Sequence, residues 1–302
     1  MEDLPLVSII ITHYNRESYL PLLLQSIINS DYPKNRIEII VIDLGSKDIE
    51  KVSKIIENHK QKYSDIAIYL YKFDHAYPSQ GRNLGIDKAS GKYMFFVDDD
   101  NFIHRNTVRE LVSFMESNHR VGMSGPIIYN YREHNQIDYS YMSMDYWTTI
   151  TRSIKKIFFN GRIPYETYCI PNSYMIRKEV LSKIGKFDDK FFPIHYEEGD
   201  LCERIRAIGY YICIIPKAII YHDSKKDPLR NNYRRYYFTI RNRYIYHRKY
   251  SKNEFQKLIS VYIFSLLINL YYTLKVILKN RGNIKYIKLF ILATKHGFYI
   301  KL

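Results

Sequence analysis

The first 130 residues alternate short apolar runs with stretches of helical periodicity, and this alternation leaves few possible architectures. The apolar runs are rich in β-branched and aromatic residues and almost continuous, as buried parallel strands are. They predict strands at residues 7–12, 37–43, 66–71, 92–98 and 121–129, with helices at 19–30, 48–62 and 105–118. Strands and helices in this order predict a doubly wound α/β sheet covered by helices.

The same elements continue at wider spacing over the next hundred residues. Residues 131–162 are aromatic, polar and weakly periodic, which predicts an excursion over the sheet. Residues 169–178 and 210–215 predict two further strands, and residues 198–207 predict a short helix between them. The α/β unit is therefore expected to end near residue 227.

The positive charge of the chain is concentrated in its last quarter. The formal net charge is +15, yet residues 1–222 hold 28 basic and 28 acidic side chains, whereas residues 223–302 hold 18 and 3. Residues 230–249 predict an Arg/Tyr-rich helix, and residues 258–274 carry no charge. A membrane span needs about 20 apolar residues, so this slightly short run favours helices lying in a membrane interface. A packed helical hairpin and a true span remain as alternatives.

Cysteine usage and the N-terminus bear on the compartment. The three cysteines, Cys169, Cys202 and Cys213, form no CxxC pair and cannot all pair internally, which predicts a reducing compartment. The N-terminal residues include acids where a secretion signal needs positive charge, so none is expected.

The strongest chemical signal is the run FFVDDDN at residues 95–101, in which an apolar strand leads into Asp98, Asp99 and Asp100. Ligands of parallel sheets bind beyond the carboxyl ends of the strands. Three adjacent carboxylates repel one another unless a cation neutralises them, and hard oxygen ligands suit Mg²⁺ or Mn²⁺. The run predicts a metal site, with a solvated acidic turn as the alternative.

Two weaker motifs flank the acidic strand in the sequence. Asp43 ends a predicted strand, where it can accept hydrogen bonds from a ribose or a base, and Gly45 allows a tight turn. Arg82 and Asn83 lie in a Gly-flanked segment, where the guanidinium can pair with a diphosphate. An ordinary strand-to-helix turn and a surface turn are the respective alternatives.

Two further motifs follow in the second half of the chain. Glu197, Glu198 and Asp200 cluster at a predicted helix start, where the helix dipole favours anions. Asp200 is spaced to pair with Arg204, which leaves a glutamate free as a general base. His222 follows a strand-like run and is a candidate metal ligand, although a single histidine is more often structural.

Because these motifs follow one another in this order along the sequence, the chain resembles the large inverting glycosyltransferase family 2 with the GT-A fold. Within that family it resembles the rhamnosyltransferase-like members. The resemblance extends over about residues 7–249 and implies a Rossmann-like mixed, mostly parallel sheet with a C-terminal helical extension. It assigns nucleotide-sugar binding to the opening strand and turn, the second strand, the Arg-Asn segment and the acidic motif: Thr12, Tyr14, Asn15, Arg16, Asp43, Gly45, Arg82, Asn83, Asp98 and Asp99. It assigns the metal to Asp100, His222 and Asp98.

Three departures from the family pattern matter. The acidic pair is usually Glu-Asp but is Glu197–Glu198 here, which places the catalytic base at Glu198 with Glu197 as the alternative. Asn172 stands near a position that is often Gly or Ala in the family. The QxxRW motif does not occur, which disfavours a processive polysaccharide synthase.

The resemblance implies a metal-dependent, hexosyltransferase-type enzyme that moves a sugar from UDP, dTDP or GDP to a hydroxyl of a lipid-linked or glycan acceptor. It implies a catalytic domain at residues 1–227 and a membrane-associated region at 228–302. The protein is expected to lie on the cytoplasmic side of the cell membrane as a peripheral or monotopic protein. It is not expected to bind nucleic acid.

Two other functions fit parts of the sequence. A nucleic-acid-binding module fits the basic Arg/Tyr segment but leaves the acidic motifs unexplained. A catalytically silent scaffold of the same fold fits all of the motifs. A nucleotidyltransferase is disfavoured because no phosphate-binding Gly-rich loop occurs.

Overall fold

The computed structural model describes residues 4–156, 158, 161–223, 233–280 and 283–301. The helices of the α/β part are α1 (Leu20–Ile28), α2 (Ile49–Lys62), α3 (Pro78–Lys88), α4 (Thr107–Ser117), α5 (Lys178–Ile184) and α6 (Glu197–Ala207). Its strands are β1 (Val7–His13), β2 (Ile37–Asp43), β3 (Ala67–Lys72), β4 (Tyr93–Asp98), β5 (Asn101–Ile103), β6 (Val121–Asn130), β7 (Ile137–Tyr139), β8 (Tyr141–Met144), β9 (Thr151–Ile154), β10 (Tyr165–Glu166), β11 (Ser173–Arg177) and β12 (Tyr211–His222).

One large mixed sheet forms the core, in the order β10-β12-β6-β11-β4-β1-β2-β3. Strands β3, β2, β1 and β4 are parallel to their neighbours, as are β12 and β6, whereas β11 runs antiparallel between β4 and β6. The long strands β1 and β2 are buried almost throughout, which explains their nearly continuous apolar sequence. The predicted α/β fold with a mixed, mostly parallel sheet is confirmed.

The register brings the polar ends of separate strands to one edge of the sheet. His13 of β1 pairs with Asp43 of β2, and Thr12 pairs with Asp98 of β4. On the other side, His222 at the end of β12 pairs with Asn101 of β5, directly after the acidic run. Side chains that are far apart in the sequence therefore meet beyond the carboxyl ends of β1, β2 and β4.

Three local differences from the sequence prediction have physical causes. The Arg82–Asn83 segment is a buried helix, α3, and not a surface turn, because Gly81 and Gly85 let it approach β1 and β2 closely. The excursion contains the β8–β9 hairpin, whose side chains are largely exposed and so lack apolar alternation. Strand β12 continues past residue 215, because a register shift between Ile215 and Ile219 accommodates its proline.

The C-terminal region is helical. It consists of α7 (Tyr233–Tyr250), α8 (Glu254–Ile259), a π-helical turn (Ser260–Phe264), α9 (Ser265–Lys279) and α10 (Lys285–Tyr299). Residues Glu254–Lys279 form one 26-residue helix that is long and apolar enough to cross a membrane. The predicted domain boundary at 227/228 and residues Ser224–Lys226 of the histidine motif lie outside the described residues.

Helix α9 has its polar side chains inside and its apolar side chains outside. Asn269 and Thr273 are buried against α7, where the Tyr236 hydroxyl lies 2.6 Å from the Thr273 hydroxyl oxygen. The outward side chains of α9, and of α8 and the π-helical turn that precede it, are large, apolar and exposed; examples are Leu258, Tyr262, Leu267, Leu270, Tyr271, Leu274 and Leu278. A water-facing helix has the opposite arrangement, so this face is suited to an apolar partner.

Candidate active site

Arg82 joins three carboxylates from distant parts of the chain. Its side chain is only 6% exposed, and Nη2 lies 3.2 Å from Oδ1 of Asp98. Nη1 lies 3.1 Å from Oε1 of Glu197, and Nη2 lies 3.5 Å from Oε1 of Glu198. Since isolated charges are costly to bury, one cation shared by three acids is the interaction that keeps this cluster folded.

Two of these carboxylates, Glu198 and Asp98, have raised pKa values. Burial raises the pKa of Glu198 to about 8, because the nearby charges of Glu197 and Asp98 add to burial and outweigh the opposing effect of Arg82. Burial likewise raises the pKa of Asp98 to about 6, against the effect of Arg82. A carboxylate whose pKa lies near neutrality is suited to accept a proton during catalysis.

Asn172 orients Glu198 through the backbone. Its N–H donates to Oε1 of Glu198 at 3.3 Å, and its φ of 66° lies in the left-handed region. Asparagine tolerates this region better than most residues, and glycine adopts it freely. The backbone conformation therefore explains how asparagine can stand in this part of the chain.

Helix α7 holds the loop that leads into the glutamate pair. His195 and Tyr196 have φ values of 63° and 68°, which are unfavourable for such side chains. The buried amide of Asn242 donates to the carbonyls of Ile194 and His195 at 2.8 and 2.9 Å. Backbone strain of this kind persists only where surrounding contacts enforce it, so α7 is part of the structure that positions Glu197 and Glu198.

Asp99 and Asp100 lie against a second arginine. Arg16 Nη1 is 2.8 Å from Oδ1 of Asp99 and 2.6 Å from Oδ2 of Asp100. Asp99 also accepts from the backbone N–H of Tyr14 at 3.2 Å and lies 3.0 Å from Nδ1 of the buried His13. These contacts fix the acidic turn to the end of β1.

His222 lies beside Asp100, with 3.5 Å between Nε2 and Oδ2. Burial lowers the pKa of His222, but Asp100, Asp98 and Asp138 outweigh burial and raise it above its ordinary value. Burial alone would raise the pKa of Asp100, whereas His222 and Arg16 lower it overall. The two pKa shifts therefore favour an anionic Asp100 beside a cationic His222.

The ligand atoms of Asp100 and His222 can be compared with those that a divalent cation accepts. Within the described residues, no group of three or more His, Cys, Asp and Glu side chains is arranged to hold a metal ion. Asp100 and His222 supply one oxygen and one nitrogen side by side, which are ligands that Mn²⁺ accepts. A catalytic Mg²⁺ is commonly held by one or two carboxylates plus substrate phosphates, so the residues fit a cation that shares its ligands with the donor.

Asp43 retains hydrogen-bonding capacity. Its Oδ1 accepts from the N–H groups of Gly45 and Ser46 at 3.0 and 2.8 Å. Its Oδ2 is buried and has no hydrogen bond within the described part of the chain. Gly45 has a φ of 101°, and a Cβ there would lie 2.3 Å from the carbonyl oxygen of Asp74. A buried carboxylate oxygen without a donor favours a ligand that brings one.

A cleft of about 420 Å³ collects most of the predicted site residues. Those that line it are Thr12, Tyr14, Arg16, Arg82, Asp98, Asp99, Asp100, Glu197, Glu198 and His222. Asn15 lies beside it and connects the β1 turn to Ser46 and Lys47, while Asp43 and Gly45 form the adjacent turn. Asn83 does not line the cleft, because its amide makes two hydrogen bonds to the backbone of Phe187.

Several residues of the cleft were not predicted from the sequence. His13, Asn172, Ile194, His195, Tyr196 and Arg235 all line it. Arg235 belongs to the basic C-terminal segment, whose charge by itself suits an anionic membrane surface or nucleic acid. Two features of the sequence relate to these residues: asparagine, as at Asn172, tolerates a left-handed backbone, and the α7 segment is rich in arginine. Neither feature identifies a cleft unless the fold is known.

Comparisons with known proteins agree with this geometry. The model of the family "Glycosyl transferase family 2" matches residues 8–185, which is more than half of the chain. The chain is 28% identical over 235 residues to "Probable glycosyltransferase YdaM" of Bacillus subtilis, covering 74% of this chain and 52% of that protein. It spans about half the length of the first curated relatives it matches.

Two solved structures share the fold at low sequence identity. GalNAc-T7 with UDP, GalNAc and Mn²⁺ superposes with a TM-score of 0.68 at 17% identity, covering 82% of this chain and 51% of that one. S. aureus TarS 1-349 in complex with UDP-GlcNAc gives a TM-score of 0.61 at 18% identity, and the match covers 96% of this chain and 81% of the TarS chain. From its sheet, its cleft and its match over residues 8–185, the chain belongs to glycosyl transferase family 2.

Proposed function

We propose that the protein transfers a sugar from a nucleoside-diphosphate sugar to an acceptor hydroxyl with inversion at the anomeric carbon. The observation that carries this proposal is the convergence of Asp98, Glu197 and Glu198 on Arg82 in the cleft that also contains Asp100 and His222. That arrangement provides a base beside a pair of possible cation ligands.

Glu198 acts as the base in this proposal. As the acceptor oxygen forms a bond to the anomeric carbon, its proton passes to Glu198 and the bond from that carbon to the diphosphate breaks. Because attack comes from the face opposite the leaving group, the anomeric configuration inverts. Glu197 makes the closer contact with Arg82, at 3.1 Å against 3.5 Å, so Glu198 is the freer of the two.

A divalent cation would be held by Asp100 and His222, with Asp98 near it. When bound, such a cation neutralises the negative charge that develops on a departing diphosphate. Arg16 and Arg82 place two further positive charges in the same cleft, where they can bind the donor phosphates. Removal of one of the two proposed cation ligands tests this assignment.

Replacement of His222 by alanine is expected to raise the Mn²⁺ concentration needed for half-maximal activity by at least about 10-fold, since loss of even a hydrogen-bonding partner of a metal ligand commonly lowers metal affinity by about 10–100-fold. Chelation with EDTA is expected to abolish turnover of the natural enzyme, and excess Mn²⁺ is expected to restore it. His104, outside the cleft, provides a matched His→Ala control. Equal Mn²⁺ dependence of the H222A and natural proteins would contradict the assignment.

The donor is proposed to carry UDP, with dTDP and GDP as alternatives. The buried Oδ2 of Asp43 is suited to accept from a base or ribose donor. TarS and GalNAc-T7, whose folds are similar, were solved with UDP-GlcNAc and with UDP, respectively. A panel of UDP-, dTDP- and GDP-sugars with Mn²⁺, monitored by release of the nucleoside diphosphate, tests the proposal. Release from none of them would contradict it.

The acceptor is proposed to be lipid-linked or a cell-envelope glycan, reached from the cytoplasmic side of the membrane. The exposed apolar face of α8–α9 is adjoined by basic side chains, including Lys275, Lys279, Lys285 and Lys288. This combination suits an anionic bilayer surface. The Arg/Tyr helix α7, in contrast, is largely buried, which leaves few of its side chains for stacking on nucleic-acid bases.

Binding to vesicles is expected to require the outward face of α9. The full chain is expected to sediment with vesicles that contain anionic lipid, and L267E/L274E is expected to reduce the bound fraction at least about 10-fold, since glutamate is costly to place in hydrocarbon. Ser113→Glu on α4 is a control at an exposed position away from this face. Unchanged sedimentation of the L267E/L274E variant would contradict the membrane proposal.

A further inference from the structure

A second depression lies beside the catalytic cleft and has no role in the chemistry described above. It has a volume of about 600 Å³ and is bordered by α3, α7, α10 and the loop before α6. Two chain segments separate it from the cleft: Tyr77 and Pro193 line the depression, whereas their neighbours Pro78 and Ile194 line the cleft. It is called the aromatic trough below.

The walls of the trough are largely aromatic. Tyr77, Tyr237 and Phe238 pack edge to face, with ring centroids 5.3 Å apart for Tyr77–Phe238 and 5.1 Å for Tyr237–Phe238. Tyr299 of α10 lines the opposite side and is 80% exposed. An open groove with walls of this kind binds an apolar or amphiphilic ligand more readily than water.

Cations surround these aromatic walls. Lys190, Arg241 and Lys295 line the trough, together with the single carboxylate of Asp189. Arg241 is buried, and its guanidinium donates to the carbonyl of Phe191 at 3.1 Å, which fixes its position. Lys190 and Lys295 are exposed and can turn toward a ligand. The charge balance favours an anionic group such as a phosphate.

The trough adjoins the apolar outer surface of the C-terminal helices. Helix α10 supplies Lys295 and Tyr299 to the trough and exposes Ile291 and Leu292 one turn earlier. A chain that leaves the trough along α10 therefore reaches the surface proposed to face the bilayer.

We propose that the aromatic trough binds the phosphate end of a lipid-linked acceptor, with Lys190 and Lys295 on the phosphate and the aromatic walls against the lipid chain. This inference rests on the proposed function, because it identifies the anchor of the acceptor as a lipid phosphate, while the acceptor hydroxyl belongs to the head group that extends from the trough into the cleft. The occupant is a single amphiphile, and neither a free anion nor a neutral lipid satisfies both features.

Photolabelling tests this proposal without catalysis. The full chain is irradiated with a farnesyl phosphate analogue carrying a diazirine, and labelled peptides are identified by mass spectrometry. Labels are expected on segments of α7 and α10 that line the trough. Unlabelled farnesyl phosphate is expected to compete at least about 10-fold better than farnesol or inorganic phosphate, because a charge-assisted contact contributes roughly 1.5–3 kcal/mol.

Charge reversal provides the matched variants. K190E/K295E is expected to reduce trough labelling at least about 10-fold, whereas K51E/K54E, at two exposed positions of α2 that do not line the trough, is expected to leave it unchanged. Labelling that is confined to the outer face of α9, or that is equal in K190E/K295E and the natural protein, would overturn the proposal. Competition by farnesol alone would indicate a neutral apolar site, and competition by inorganic phosphate alone a free-anion site, and either result also overturns it.

Donor hydrolysis by the same proteins separates this proposal from the proposed function. The cleft is intact in K190E/K295E, so release of nucleoside diphosphate to water is expected to continue at the natural rate. Loss of labelling with retained hydrolysis would leave the transferase proposal standing and confirm the role of the lysines. Labelling of the natural protein without any hydrolysis would support the trough while contradicting the transferase activity.

Discussion

Replacement of Glu198 by glutamine is expected to lower sugar transfer by about 10²–10⁴-fold, the usual contribution of a general base. Glutamine keeps the size of the side chain but cannot take the proton of the acceptor hydroxyl. The carboxamide can still accept from the N–H of Asn172, so the local structure is expected to persist. Donor affinity, measured by calorimetry, is expected to stay within about 3-fold of the natural value, since the base does not hold the nucleotide.

The glutamate pair offers its own control. E197Q is expected to lower turnover far less than E198Q, because Arg82 remains paired with Asp98. E198D is expected to retain measurable activity, since aspartate is still a base although it is one methylene shorter. Full activity of E198Q together with an inactive E197Q would transfer the role of the base to Glu197.

Replacement of Arg82 by leucine is expected to abolish activity and destabilise the fold by about 3 kcal/mol. Removal of one partner from a buried ion pair commonly costs about 3–5 kcal/mol because it leaves an uncompensated charge. The lower figure is used because Asp98 and Glu198 keep 31% and 20% of their side-chain exposure. Arg82→Lys retains the charge but cannot contact separate carboxylates through two nitrogens. The stability of R82K is therefore expected to lie between those of R82L and the natural protein.

The destabilisation of R82L is expected to increase with pH. The pKa values of Asp98 and Glu198 are already raised to about 6 and about 8, so the native state holds their protons more tightly than the unfolded chain does. Stability from these groups is therefore present at low pH and lost as the pH rises through those values. Without Arg82 both pKa values rise further.

Denaturant unfolding at pH 5 and pH 9 measures this effect. R82L is expected to be close to the natural protein at pH 5 and clearly less stable at pH 9. An exposed control, Arg105→Leu, is expected to show little pH dependence. A pH-independent difference between R82L and the natural protein would show that packing, and not the charge of the carboxylate cluster, causes the destabilisation.

The sequence was sufficient to predict the strands of the first half of the chain and the polar side chains at their ends. Strand β2 occupies the predicted residues, and β1, β3, β4 and β6 differ from them by one residue at one or both ends, because these runs of β-branched and aromatic residues are largely buried in the sheet. Strand β11 instead begins four residues later than predicted, and β12 ends seven residues later. Asp98 is the last residue of β4, and Asp100 follows two residues later. His222 lies beside Asp100 because β12 pairs with β5 immediately after the acidic run.

Contacts that depend on the packing of distant helices could not be predicted. Asn242 and Arg235 lie in a segment whose composition is dominated by its charge, so their positions beside the glutamate loop and the cleft have no local signal. The polar residues Asn269 and Thr273 interrupt the uncharged run of residues 258–274, and the sequence does not show which way they face. In the structure they face α7, and the outward face is apolar.

The central proposal is inverting transfer in the cleft around Arg82, and proton NMR of donor hydrolysis tests it most directly without a known acceptor. The natural protein is incubated with Mn²⁺ and an α-linked donor such as UDP-GlcNAc, and the anomeric signals are followed before mutarotation. We expect the β-anomer of the free sugar to appear first, and at a much lower rate with E198Q. First appearance of the α-anomer, or an equal rate for E198Q, would contradict the proposed function.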